Sequence, residues 1–330
     1  MLRFLIRRVA YLVVLVVVST TAAYVLAATQ LHPRSRYEGR NPPPPEATVD
    51  AALDALNMND KRPLAERFGR WTGSILRGDL GRTVDNIPLN EEIGRRMWVS
   101  LRLLLVGSLI GTLLGVAAGA YGAVHQYRLD DRLLALFSFV ILSIPVVVLA
   151  VLLKNAGIAL NNGLGFTGDV KLLYTTGEMT PGLDPWSWAG VTDRLAHLVL
   201  PSLVLIAGSV AFYSRYQRNA MLDVLGSDFL RTARAKGLRR ARALVTHGLR
   251  TALIPMATFF AYQFALLFVG ATFTEKIFGW HGMGEFFVDS VIKQDVNAVA
   301  AVTLFVGVLV LIAGFLSDLA YAALDPRVRV

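Results

Sequence analysis

The residues of this 330-residue chain that could do chemistry are few and scattered. Its five histidines, His32, His125, His197, His247 and His281, fall far apart and on different elements. They read as interfacial or internally satisfied side chains rather than as a metal set. There is no cysteine, which excludes disulfide frameworks, Cys-ligated zinc, iron–sulfur clusters and thiol nucleophiles. Gly163-Leu164-Gly165-Phe166-Thr167-Gly168 fits G-x-G-x-x-G, but no strand precedes it, so a nucleotide site is rejected. No P-loop, H-E-x-x-H or G-x-S-x-G pattern occurs. What remains is concentrated charge. Segment 214–250 holds nine of the 33 Lys/Arg and only two acids, Asp223 and Asp228. Such a surface does no bond chemistry. It can dock on an anionic partner or on lipid head groups.

The elements that must carry this segment are apolar. Hydrophobic residues make up 54% of the chain and charged ones 17%, which excludes disorder and an ordinary soluble domain. Six stretches have the length that a ~30 Å hydrocarbon core asks of a helix. They are 9–27, 98–124, 133–153, 197–213, 251–273 and 298–317. Arg3, Arg7 and Arg8 precede the first, whose apolar run is longer than a secretory h-region, so it reads as a retained span. With the N-terminus inside, the inner segments carry 16 Lys/Arg in 66 residues, and the two short outer loops carry 5 in 67. The 70-residue outer loop is too long to count. Both termini are therefore expected in the cytoplasm. Arg102, near the outer end of the second span, is the one charged residue inside a span, placed to snorkel. An ion-coupled transporter would put a carboxylate or histidine at mid-membrane. Its absence points to energy supplied by another subunit.

The fold expected is all-α and polytopic, in three parts: 1–27 with the first span, a small extracytoplasmic module at 28–97, and a core at 98–330 containing the cytoplasmic loop 214–250. In the module, Phe68, Trp71, Ile75 and Leu76 recur at helical spacing as core or membrane-surface anchors. Asn90 is expected to cap a helix leading into the second span, with Glu91 and Glu92 in its first turn. Gly107, Gly111, Gly115 and Gly119 put a small face along the second span, a helix-packing signal. In the basic loop, Ser227 is the expected N-cap and Asp228 suits the first turn. Gly237 is the expected C-cap, ending a short helix that Ala233 and Ala235 keep low in profile. Leu238, Ala241, Leu244, Val245 and Leu249 follow as one amphipathic face. Segment 277–292, with Phe278, Trp280, His281, Gly282 and Gly284, is either a re-entrant outer gate or an interfacial helix with aromatic anchors. Thr258, Gln263 and Thr272 on the fifth span either face a substrate path or bond neighbouring helices.

Several of these stretches carry a resemblance. Arg231-Thr232-Ala233-Arg234-Ala235-Lys236-Gly237, followed by Ala252-Leu253-Ile254-Pro255, resembles the coupling motif of the permease subunits of bacterial ATP-binding-cassette importers, in the form found in the B-type permeases of dipeptide and oligopeptide systems. Arg231 and Thr232 stand where the general motif has glutamate and a second alanine. Gly78-Asp79-Leu80-Gly81, the 275–284 stretch and Asp325-Pro326-Arg327-Val328-Arg329 are similar to other signatures of that family, with His281 in a place usually held by proline. The resemblance implies a heteromeric peptide importer in the bacterial cytoplasmic membrane. A homologous second permease would complete the path, and an extracytoplasmic binding protein would deliver peptide. Two cytoplasmic ATPase subunits would dock on Ser227, Asp228 and 231–237. No cofactor would be bound by this chain, ATP and Mg being held by the ATPases, and the chain itself would not be an enzyme. Related permeases serve nickel, glutathione or other small solutes. Outside the class, a stand-alone channel or a membrane scaffold is the competing reading.

Overall fold

The structure is a computed structural model, and residues 2–39, 41–166 and 171–324 are described. The described residues are helical with one isolated β-bridge. In chain order the helices are α1 (Leu2–Gln30), α2 (Glu46–Ala55), α3 (Leu64–Leu76), α4 (Leu89–Val124), α5 (Leu129–Ser143), α6 (Val146–Gly163) and α7 (Trp188–Leu225). Then come α8 (Asp228–Ala235), α9 (Arg240–Ala243), a π-helical turn (Leu244–Leu249), α10 (Arg250–Ala252), α11 (Ile254–Phe278), α12 (Met283–Ile292) and α13 (Val296–Leu324). Within α1, α4, α6, α7 and α13 lie stretches long and apolar enough to cross a membrane. Helix α11, at 25 residues, also has spanning length.

Two expected elements come out differently. The stretch 133–153 is not one helix. Ile144 and Pro145 are extended (ψ 124° and 138°) and separate α5 from α6. The residue before a proline is disfavoured in the helical region, and here Ile144 leaves it, so the helix ends although the apolar run continues. The short expected span 197–213 is the middle of the 38-residue α7, which starts at a Ser187 cap accepting the Gly190 N–H at 3.0 Å.

The chain forms two compact units, residues 1–3, 101–280 and 312–330 in one and 4–100 with 281–311 in the other. In the first, α7 is the central post, with α5, α6 and α11 packed on it. The glycine stripe of α4 lies directly on α7. A Cβ on Gly107 would sit 2.7 Å from the Leu205 Cβ, one on Gly111 2.4 Å from the Ser209 Cβ, one on Gly115 2.7 Å from the Tyr213 Cβ, and one on Gly119 2.8 Å from the Gln217 Cβ. Both sets of four rise together in steps of four residues, so α4 and α7 run parallel.

In the second unit, Tyr24, Ala27 and Ala28 of α1 and Val296, Val299 and Ala300 of α13 share a core with Trp71 of α3, against which Phe68 and Ile75 pack. The Tyr24 and Trp71 rings lie 4.5 Å apart. Leu76 instead points outward. Arg34 bridges Asp50 and Asp60, both at 2.7 Å, and Arg62 pairs with Asp54, tying the turns around α2 together. Asn90 does not cap a new helix as expected. Its side chain takes the Leu80 N–H (2.9 Å) and donates to the Gly78 carbonyl (2.6 Å), pinning the Gly78–Gly81 turn to the start of a continuous α4.

Asp295, 2% exposed, accepts the Ala298 N–H at the start of α13 (3.0 Å) and the Val84 N–H from the 78–89 loop (2.8 Å). Burial pushes its carboxyl up to about 6 from an ordinary 3.8, with Asp85 adding to the rise and Arg36 opposing it. The folded form thus holds this proton more tightly than the unfolded chain. Stability is highest below pH ~4 and falls as pH rises through ~6, by about 3 kcal/mol for this group alone. Asp295→Asn should flatten that pH 4–6 slope in the thermal unfolding of the detergent-solubilised protein. An unchanged slope would show that another group sets it.

Candidate functional site

The basic loop is built outward from the end of α7. Leu225 closes α7, Gly226 follows, and Ser227 is extended (φ −75°, ψ 147°) as an N-cap requires. The Ser227 hydroxyl, however, turns back and donates to the Val224 carbonyl at 2.6 Å instead of accepting from α8. It fastens α8 to α7 rather than capping it. Asp228 lies in the first turn of α8, where the helix dipole favours a carboxylate, with the Arg231 guanidinium 3.5 Å away. Arg231 also donates to the Gly226 carbonyl (3.3 Å), and the Thr232 hydroxyl to the Asp228 carbonyl (2.9 Å).

The far end is closed by a Schellman turn. The Gly237 N–H reaches the Arg234 carbonyl (3.0 Å) and the Leu238 N–H the Ala233 carbonyl (3.3 Å). Gly237 sits at φ +89°, which favours glycine. Leu230 alone of α8 is buried, holding the helix down. Arg231, Thr232, Arg234, Ala235, Lys236 and Gly237 are exposed and Ala233 is half-buried. The outward face is therefore basic and shallow, flanked by the exposed Arg239 and Arg242.

The mounting beneath is apolar. Ala123 at the end of α4, Met221 and Val224 of α7 and Ala252 of α10 form a small core, joined by Leu244 and Leu249. The expected single face over 238–249 does not form. The π-helical turn rotates the register, and Val245 is left 64% exposed. Arg250 donates to the Leu324 (3.1 Å) and Ala323 (3.3 Å) carbonyls, tying the loop to the end of α13. Asp131, buried at the start of α5, takes Arg218 of α7 in a bidentate pair at 2.6 and 2.8 Å and also the Tyr127 N–H (3.0 Å). The guanidinium holds the Asp131 carboxyl below the usual carboxylate range. Sequence reading missed this pair, because 87 residues separate its members and neither is unusual alone.

The other candidate residues lie elsewhere. Phe278 and Trp280, in the first unit, are buried at the end of α11, where Gly279 turns the chain (φ +64°) and the Phe278 carbonyl accepts the Gly177 N–H (2.8 Å). The Ile277 carbonyl accepts Lys154 Nζ at 2.5 Å. His281, Gly282 and Gly284 belong to the second unit. There the exposed His281 ring meets the Glu285 carboxylate at 2.7 Å, and the Met283 N–H donates to the Ser100 hydroxyl (2.7 Å). Arg102, in the first unit, pairs with Glu178 at 2.5 Å. Gln263 and Thr272 are buried within the subunit, and the Thr272 hydroxyl donates to the Phe268 carbonyl of its own helix (3.0 Å). The Thr258 side chain, Gly168 and 325–329 lie outside the described residues.

Comparison with known proteins places the chain in a family. A family model described as "Binding-protein-dependent transport system inner membrane component" matches residues 111–330. The oligopeptide transport system permease protein OppB of Mycobacterium tuberculosis is 51% identical over 330 residues, the whole of both chains. AppB of Bacillus subtilis, another oligopeptide transport system permease protein, is 32% identical over 286 residues, 86% of each chain. The glutathione transport system permease protein GsiC of Salmonella paratyphi A is 33% identical over 287 residues, again 86% of each. A stand-alone channel or scaffold is thereby set aside. The chain belongs to the family of binding-protein-dependent transport system inner-membrane components, the multi-pass permease subunits of ATP-binding-cassette importers.

Proposed function

We propose that this subunit forms half of the translocation path of an ATP-driven peptide importer and takes its power stroke through 227–237. One observation carries the reading: a short basic helix, closed at its far end by a Schellman turn and fastened at its near end by Ser227 and Leu230, stands on the end of a 38-residue post packed on α4, α5 and α11. A push on α8 cannot be absorbed locally and must tilt that post, as alternating access by rigid-body motion requires. Two cytoplasmic ATPase subunits, carrying ATP and Mg, would supply the push, and this chain would hold no cofactor. A homologous second permease would close the path, and an extracytoplasmic binding protein would deliver cargo. In this reading the chain crosses the membrane six times, α5–α6 counting once, with both termini and 214–250 in the cytoplasm and 28–97 outside. Peptide as cargo rests on the full-length relative named for oligopeptide transport. The more distant relative named for glutathione transport keeps that solute as the second reading.

The test is reconstitution of the co-purified complex with its cognate binding protein. ATP hydrolysis should rise several-fold with peptides and not with nickel. Stimulation by glutathione alone would reassign the cargo. Failure of an ATPase and a second permease to co-purify would overturn the whole reading.

A further inference from the structure

Beside α8 on the same face lies a cavity of about 310 Å³. Ala123 and Val124 at the end of α4, Leu225, Leu230 and Leu244 form its apolar wall, and Arg234 is its one charged lining residue. It is about twice the ~150 Å³ that accepts a benzene-sized group. The loop around it carries nine Lys/Arg against two acids, so a complementary protein surface is acidic. An apolar anchor in a recess, ringed by charge pairs, is the usual build of a strong interface contact.

We propose that this cavity receives a bulky apolar side chain of the ATPase subunit, with a neighbouring carboxylate of that subunit paired to Arg234. The contact is thus reciprocal: α8 enters the partner, and the partner enters the permease beside α8. This rests on the coupling reading of 227–237.

The chain has no cysteine, so Gln126→Cys, at the cavity edge, is the single thiol of this subunit, whose labelling is read on its own band from the full complex. In inside-out vesicles, a maleimide should label it at least tenfold more slowly when the ATPase is present than after it is stripped. Slow labelling in stripped vesicles would mean that lipid fills the cavity, and would overturn the proposal. Equal fast labelling in both states would overturn it too. Val124→Phe, which fills the cavity from α4, should retain the second permease but lose at least nine-tenths of the bound ATPase. Full retention of the ATPase would refute the proposal. If that variant does not fold, the cysteine reporter decides alone. Ala233→Trp on α8 separates the two ideas. ATPase lost with Ala233→Trp but kept with Val124→Phe removes the cavity contact and leaves the coupling reading. ATPase kept with both removes the coupling reading as well.

Discussion

Gly119→Val should abolish accumulation of the folded subunit, whereas Gly208→Ala should leave it unchanged. A Cβ at Gly119 would lie 2.4 Å from the Ser214 carbonyl oxygen and 2.9 Å from the Arg218 amide nitrogen, both backbone atoms of α7. A flexible side chain can swing away from such a clash, but helix backbone cannot. Relief therefore requires α4 and α7 to separate along the whole stripe, where Gly111 and Gly115 make equally close approaches to Ser209 and Tyr213. Overpacking of this kind costs about 1–3 kcal/mol where side chains can adapt, and more where they cannot. That is a large part of a margin of only ~5–15 kcal/mol. The separation would also pull Arg218 from the buried Asp131, leaving a charge without its partner. At Gly208, on α7, nothing lies within 4 Å of a Cβ, so the partner helix of the seam offers the control. Yield and thermal unfolding of the detergent-solubilised complex report the result. A Gly119→Val protein unfolding within about 2 °C of the parent would disprove the tight α4–α7 seam.

The seam shows what the sequence makes legible and what it hides. Four glycines at intervals of four announce that something packs closely, but the partner face, Leu205, Ser209, Tyr213 and Gln217, mixes apolar and polar side chains and gives no hydropathy signal. Hydropathy likewise reads straight through Pro145, because the run on both sides is apolar, although Ile144 before it is extended and the helix ends. It shortens α7 for the opposite reason. The helix continues beyond its apolar middle on local hydrogen bonds and on packing around Met221 and Val224, which a membrane-length window does not weigh. The loop around α8 was the most legible part, since Asp228 and Gly237 act through backbone chemistry local to their own positions. Ser227 was legible as a position but not in role, because its hydroxyl can bond forward to α8 or back to Val224, and only the fold decides. Asn90 made the same choice, bonding to the 78–80 turn across ten residues.

Ala233→Trp and Gly237→Val should each leave membrane insertion and pairing with the second permease intact while cutting ATP-driven uptake at least about tenfold, equivalent to ~1.4 kcal/mol. The two act differently. At Gly237 a Cβ meets nothing within 4 Å, so the valine is resisted by the backbone alone, which sits at φ +89°. A β-branched residue in that region costs roughly 1–2 kcal/mol, enough to unwind the Schellman turn and free the end of α8 but not to unfold helices remote from it. Ala233 is half-buried on the shallow face, so tryptophan there leaves α8 formed and instead holds its docking partner away. Gly237→Val should therefore keep part of its ATPase binding and lose transmission, giving hydrolysis that no longer responds to substrate. Ala233→Trp should lose the ATPase itself. Gly237→Ala should fall between wild type and valine, since alanine tolerates positive φ better than a β-branched residue. Normal uptake by both variants would remove 227–237 from the coupling path, and loss of the second permease from either would show that the loop supports the fold rather than the stroke.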